Sequence, residues 1–73
     1  MEYTVVLHRA EEGGYWVEVL AVPGCFSQGE TVEEALQNVR EAIESHLLAL
    51  KEDGQDIPKE EGILLGRVEV AVS

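Results

Sequence analysis

Hydrophobic and polar residues alternate in short stretches at the beginning of the chain and predict β-strands there. Tyr3–Arg9 and Tyr15–Leu20 are rich in β-branched and aromatic residues, and Glu11–Gly14 between them has the glycines that a tight hairpin turn favours. The Pro23–Gly24 pair interrupts the alternation, because proline lacks the N–H that a ladder of hydrogen bonds requires. A short third strand, Cys25–Gln28, is predicted to follow.

A long amphipathic helix is predicted after the third strand. Thr31 and Glu34 form a capping box, in which the hydroxyl accepts one free backbone N–H and the carboxylate accepts the N–H of the cap residue itself. Apolar residues then recur at helical spacing: Val32, Leu36, Val39, Ile43, Leu47 and Leu50. Gly54 is the predicted stop. Gly29 turns the chain into the helix, either through a positive φ or by letting the helix start close to the sheet.

The last part of the chain returns to strand-like alternation. Arg67–Val72 predicts a fourth strand, and a shorter apolar run, Ile63–Leu65, precedes it. The order β-β-β-α-β predicts one α+β domain, residues 1–73, in which a single helix packs on a four-stranded sheet as a two-layer sandwich. A right-handed crossover through the helix would place the last strand parallel to the first. The other face of the sheet then has no helix, and Trp16 is predicted to lie there.

The charge balance of the chain constrains its partners. Fifteen acidic and five basic residues give a net charge of −10, and the five cations are scattered along the sequence. Contacts to phosphate need clustered Lys and Arg, so direct binding to nucleic acid or to an anionic membrane is not expected. A basic protein is the natural electrostatic complement of such a surface.

The size and the cysteine content bound the class of protein further. A chain of 73 residues has room for one modest core, and we expect it to form a homodimer or a higher homo-oligomer. A single cysteine excludes an internal disulfide and a cysteine-based zinc cluster. The sequence contains no secretory signal and no apolar run long enough to cross a membrane. We therefore expect a cytoplasmic protein.

One stretch, VPGCFSQGETVEEALQNVREAI from Val22 to Ile43, combines a Pro-Gly bend, a lone cysteine, a second glycine and a helix start. Together with the first strand, the GGYWVEV strand and the KEDGQDIP end of the helix, it resembles the N-terminal domain of HicB-like antitoxins. The resemblance covers Tyr3 to Pro58. The positions that match the family pattern are Pro23, Gly24, Cys25, Ser27, Gly29, Glu30, Thr31, Glu34 and Ala35.

The resemblance implies a partial ribonuclease-H-like fold and an antitoxin role. The expected partner is a small basic toxin of the HicA-like type, which cleaves RNA with a catalytic histidine and must be basic to hold RNA. The chain departs from the family pattern at Ala21, where members often have an acid. Many members also carry a C-terminal DNA-binding domain, whereas the residues after Gly62 leave room for a strand only. Autoregulation of transcription by this chain alone is not expected.

A second hypothesis is that Cys25, the histidines or the strand acids take part in catalysis. Cys25 would need a base and a lowered pKa to act as a nucleophile, and the sequence does not fix the distance of either histidine, His8 or His46, from Cys25. The spacing of these histidines matches no known metal site. Cysteine is also a small and readily buried residue, which favours a packed Cys25. A metal-dependent nuclease would need converging carboxylates, and the strand acids are Glu2, Glu18 and Glu69. We expect neither an enzyme nor a cofactor or metal site.

The function predicted from the sequence is that of a binding module. Pro23, Gly24, Cys25, Gly29, Thr31 and Glu34 are interpreted as architectural. The residues predicted to contact a partner are Trp16, Leu48, Glu52, Asp53 and Asp56. The alternatives are an orphan homo-oligomeric domain, with a regulatory or small-ligand role and no toxin, and a vestigial nuclease.

Overall fold

A computed structural model describes residues 1–72. The elements are β1 (Val5–Arg9), β2 (Tyr15–Val19), β3 (Phe26–Gly29) and α1 (Val32–Glu52). The three strands form one antiparallel sheet in the order β1-β2-β3, so that β2 is central. The predicted α+β class is confirmed, and the third strand begins one residue later than the sequence predicts.

The register of the sheet divides its side chains between two faces. Val17 of β2 lies opposite Leu7 of β1 and Ser27 of β3 on the face that α1 covers, which we call the inner face. The core on this face consists of Val17, Val19, Val22, Cys25, Ala35 and Val39. Val17 and Ala35 are completely buried, because the helix packs mainly against β3 and β2. The opposite face, which we call the outer face, carries the alternate residues of the same strands.

The helix starts with one of the two hydrogen bonds of the predicted capping box. The Glu34 N–H donates to Thr31 Oγ1 at 3.0 Å, which satisfies one of the free amides of the first turn. The Glu34 carboxylate accepts at 3.1 Å from the N–H of Glu30, the residue before the cap, and not from Thr31 as expected. The helix ends at Glu52 with Asp53 as its C-cap, and Gly54 follows as predicted.

The predicted fourth strand is not formed. Residues 61–72 have no helix or strand, and no backbone hydrogen bond joins them to the sheet. Val68, Val70 and Val72 are 86%, 70% and 89% exposed. Alternation gives a segment one apolar side, but a strand also needs a hydrogen-bonded neighbour for its N–H and C=O groups, and residues 61–72 pair with neither edge of the sheet. The sheet of one chain therefore has three strands and no parallel crossover.

The segment after the helix is fastened to the beginning of β1. The Tyr3 hydroxyl donates to the backbone carbonyl of Pro58. The backbone N–H and the hydroxyl of Thr4 both donate to the carboxylate of Glu60, the hydroxyl at 2.7 Å. These contacts place residues 58–60 at the N-terminal end of β1, from which the remaining chain departs.

Candidate functional site

Cys25 is part of the core. Its side chain is 4% exposed, and its backbone lies in the bend between β2 and β3, where the Val19 N–H donates to the Cys25 carbonyl at 3.3 Å. Burial raises the pKa of the Cys25 thiol above its ordinary value. A raised pKa keeps the thiol protonated at neutral pH, which is the reverse of what nucleophilic catalysis needs.

The glycines of the family pattern have two different jobs. Gly24 follows Pro23 in the bend and has a φ of +83°, a conformation that favours glycine. Gly29 does not have a positive φ; instead it lies against the first turn of α1. A Cβ at Gly29 would stand 2.5 Å from the Ala35 nitrogen and 2.8 Å from the Glu34 carbonyl carbon. Of the two roles that the sequence left open for Gly29, the structure shows the close approach.

Three aromatic rings cross the outer face, one from each strand. The rings of His8 and Trp16 stack with centroids 3.9 Å apart and planes 11° from parallel, and Phe26 meets Trp16 at 6.3 Å and 55°. Trp16 is 37% exposed and Phe26 is 58% exposed. We call His8, Trp16 and Phe26 the aromatic strip. Large rings held rigidly in this way are typical of the energetic centre of protein interfaces.

A carboxylate next to the aromatic strip holds it in place. Glu18 Oε2 lies 3.1 Å from His8 Nε2, across the β1–β2 pair, while the His8 ring stacks on Trp16. The same contact occupies the strand acid Glu18. His8 is therefore fixed on one side by Glu18 and on its face by Trp16, which lowers the cost of ordering these side chains when a partner binds.

Acidic side chains border the aromatic strip. An open groove of about 820 Å³ lies at the end of the sheet where the β1–β2 turn meets the start of α1, and Trp16 is part of its wall. The carboxylates in that wall are Glu11, Glu12, Glu30 and Glu34, and we call them the acidic rim. Arg9 is the one cation in the same wall. An aromatic centre with a negative border is complementary to a basic surface.

The other predicted contact residues lie elsewhere. Leu48 is 57% exposed on α1, and Glu52, Asp53 and Asp56 are exposed at the C-terminal end of that helix. Since α1 covers the inner face, these side chains are on the opposite layer from Trp16. The structure does not bring the two groups together. Sequence reasoning overlooked Phe26 and the acidic rim, although the alternation that buries Cys25 directs Phe26 outward.

The residues considered for metal or nuclease chemistry do not converge. Glu2 and Glu69 are exposed, Glu18 is paired with His8, and His46 is half-buried on α1. Within residues 1–72, no group of three or more His, Cys, Asp and Glu side chains is arranged to hold a metal ion. Over the same residues, no helix combines the length and the apolar character needed to cross a membrane.

Comparison with known proteins identifies the family to which the chain belongs. A family model described as the HicB_like antitoxin of bacterial toxin-antitoxin systems matches residues 3–67. The chain belongs to the HicB-like antitoxin family. Among curated relatives, a UPF0150 protein of Thermoplasma acidophilum is 47% identical over 60 residues, which are 82% of this chain and 87% of that protein. Antitoxin HicB of Escherichia coli K12 is 40% identical over 58 residues, which are 80% of this chain and 42% of that protein.

Solved structures of HicB antitoxins have the same fold. The antitoxin HicB of Burkholderia pseudomallei is similar with a TM-score of 0.76 and 36% identity, over 86% of this chain and 48% of that one. The crystal structure of its N-terminal domain gives 0.69 and 40%, over 78% of this chain and 65% of that one. The chain thus spans about half of the B. pseudomallei antitoxin chain and less than half of the E. coli protein.

Proposed function

We propose that this chain is the toxin-binding part of an antitoxin and that it neutralises a small, basic, RNA-cleaving toxin of the HicA-like type in the cytoplasm. Membership of the HicB-like family supports a toxin partner. The observation that carries the proposal is the aromatic strip with Trp16 and Phe26 exposed beside the acidic rim. The outer face of the sheet is the proposed docking surface.

The proposed mechanism is occlusion combined with mimicry of phosphate charge. A toxin that holds RNA presents clustered Lys and Arg, because RNA binding depends on contacts to phosphates. The rings of Trp16 and Phe26 would cover the apolar part of that surface, and the carboxylates of the acidic rim would take the positions of phosphates. Bound in this way, the toxin cannot admit RNA to its catalytic residues. The chain itself contributes no catalytic group and no direct contact to nucleic acid.

The first experiment searches the neighbouring reading frames for a small basic protein and tests any such protein as the candidate toxin. We expect the two proteins to copurify, the complex to lack RNA cleavage, and the affinity to fall as salt is added, since exposed charge pairs are screened. Affinity that does not change with salt would contradict phosphate mimicry while leaving occlusion in place. A candidate toxin that cleaves RNA equally well with a molar excess of this chain would contradict the antitoxin role.

A matched pair of variants locates the docking surface. Phe26 and Leu48 are exposed to almost the same degree, 58% and 57%, but lie on opposite layers. Phe26→Ser is expected to weaken toxin binding by about 10- to 100-fold, as loss of an interface hot spot does. Leu48→Ser is expected to leave the affinity unchanged within about twofold. The reverse result would move the docking surface to α1 and to the predicted contacts Glu52, Asp53 and Asp56.

A second candidate function is that of a homo-oligomeric domain with a regulatory or small-ligand role and no toxin. The observation in its favour is the exposure of the apolar side chains near the C-terminus, Val68, Val70 and Val72. Recovery of self-associated chains alone, with no effect on any basic ribonuclease, would favour this function. It predicts no loss of association in Phe26→Ser, because the aromatic strip would then have no protein partner.

A further inference from the structure

Residues 63–72, which we call the C-terminal segment, have the composition of a strand, but their large apolar side chains are mostly exposed. Along Arg67–Val72, valines alternate with Arg67, Glu69 and Ala71. The valines Val68, Val70 and Val72 are 70% to 89% exposed, and Leu64 and Leu65 before them are 93% and 68% exposed. A contiguous apolar stretch of this kind on a folded protein marks a surface that another element covers.

The edge of β1 offers the backbone groups that such a strand needs. The Leu20 N–H donates to the Thr4 carbonyl and the Ala10 N–H to the Gly14 carbonyl, so the even-numbered residues of β1 bond to β2. In an antiparallel pair the alternate residues point away from the partner. The N–H and C=O groups of Val5, Leu7 and Arg9 are therefore directed to the free edge.

The two edges of the sheet are not equivalent. At β3, the edge carbonyl of Gln28 accepts a hydrogen bond at 2.7 Å from the Asn38 amide of α1, which overhangs that strand. At β1, the helix stands back from the strand, and the gap is a groove of about 600 Å³. Apolar side chains line much of the groove: Tyr3, Val5, Leu36, Val39, Ile43 and Leu47. An exposed, unpaired edge beside an apolar groove is a template for a further strand.

A strand from residues 67–72 fits both features at once. Placed on the β1 edge, it would pair with the outward backbone groups of Val5, Leu7 and Arg9. Its alternation would direct Val68, Val70 and Val72 into the groove. Arg67, Glu69 and Ala71 would then face the side away from the helix. The sheet would gain the fourth strand that the sequence predicts.

In the single chain, residues 61–72 do not pair with this edge. The hydrogen bonds of Tyr3 to Pro58 and of Thr4 to Glu60 fix residues 58–60 at the start of β1. The large apolar side chains beyond residue 60 are mostly exposed. The long dimension of the molecule is 54 Å against 30 Å and 17 Å, and its radius of gyration is 14.7 Å. A compact chain of this length would have a radius of about 11 Å. A projecting segment can reach a second molecule.

We propose that residues 67–72 of one chain add as a strand to the β1 edge of a second copy, and that the second copy returns the same contact. Reciprocal exchange of one element closes a twofold dimer with both edges and both grooves filled. The outer face with its aromatic strip stays open in this dimer. The proposal is thus independent of the antitoxin role, and it would hold if no toxin exists.

The test compares two substitutions on opposite sides of the same segment. By sedimentation velocity, the unaltered chain is expected to be a dimer. Val70→Asp places a charge in the groove and is expected to raise the dimer dissociation constant by about 100-fold or more. Ala71→Asp adds the same charge on the other side and is expected to sediment as the unaltered chain does. Because Val70 is exposed in the single chain, its substitution does not disturb the core.

Hydrogen exchange supplies a second readout. The amides of Val5, Leu7 and Arg9 are expected to be protected in the dimer and to exchange at least about tenfold faster in Val70→Asp. Added salt should strengthen the dimer, because each copy carries a net charge of −10. A monomeric unaltered chain with these amides protected would mean that the segment pairs with its own β1, and would overturn the proposal. A dimer that survives Val70→Asp would overturn it as well.

Discussion

The two faces of the sheet carry large side chains from the same strands in opposite environments. Val17 and Val19 are buried beneath α1, whereas Trp16 and Phe26, which belong to the alternate positions, are 37% and 58% exposed. Burial of apolar area stabilises a domain, so the inner face accounts for folding. The aromatic area of the outer face adds little to folding and is available for a partner. One alternation thus encodes the core and the proposed binding surface together.

The largest effect on stability is expected from Gly29→Ala, because Gly29 lies where β3 contacts the start of α1. The new Cβ would lie 2.5 Å from the Ala35 nitrogen, and backbone atoms cannot yield as a flexible side chain does. We expect the free energy of unfolding to fall by about 3 kcal/mol, at the upper end for overpacking. Urea denaturation measures this value.

Gly66→Ala is the control for that prediction. No heavy atom lies within 4 Å of a Cβ at Gly66, and its φ is not positive. The free energy of unfolding should change by no more than about 0.5 kcal/mol. Equal effects of the two substitutions would mean that the approach of α1 to β3 does not require glycine.

The second prediction compares one change on both faces. Val17→Ala removes two completely buried methyl groups and should lower the free energy of unfolding by about 2 kcal/mol. Val6→Ala makes the same change at a half-buried position on the outer face and should cost less than about 1 kcal/mol. Both are measured by urea denaturation. A cost at Val6 as large as that at Val17 would show that the outer face also has a structural core.

The third prediction concerns the buried thiol of Cys25. Burial raises its pKa in the folded state, so the stability it contributes is complete below the pKa of the unfolded thiol and is lost as pH rises toward the folded value. The loss begins near pH 9, the ordinary thiol value, and is at most about 1.4 kcal/mol for each pH unit. The measurement is the difference in unfolding free energy between the unaltered chain and Cys25→Ala from pH 7 to 11. A difference that stays constant over this range would mean that the thiol ionises freely in the folded chain.

Much of the fold follows from local patterns that act within a few residues. The alternation of the first three strands, the Thr31–Glu34 cap and the Gly54 stop each depend on neighbours in sequence, and β1, β2, β3 and α1 are all present. The fourth strand at Arg67–Val72 is not, because pairing requires a partner edge that no local pattern specifies. The same limit explains why the two possible roles of Gly29 could be separated only in three dimensions.

The candidate site was predictable only in part, for the same physical reason. Trp16 could be assigned to the helix-free face from the parity of β2. Phe26 lies in a strand of four residues, too short to establish an alternation of its own. The acidic rim joins Glu11 of the first turn to Glu34 of the helix, and only the register of the folded sheet brings such distant positions together.

The smallest effect on stability is expected from Phe26→Ser, which tests the comparison most directly. Phe26 is 58% exposed, and its ring is tilted by 55° to the Trp16 ring with the ring centroids 6.3 Å apart. Its replacement should therefore change the free energy of unfolding by about 0.5 kcal/mol. Leu48→Ser, equally exposed on the helix, should change it by a similar amount. Urea denaturation of both variants, beside their toxin affinities, separates folding from binding. A loss of 2 kcal/mol or more in Phe26→Ser, estimated from the cost of core truncations, would make the aromatic strip a second core, and its exposure could no longer be taken as a sign of function.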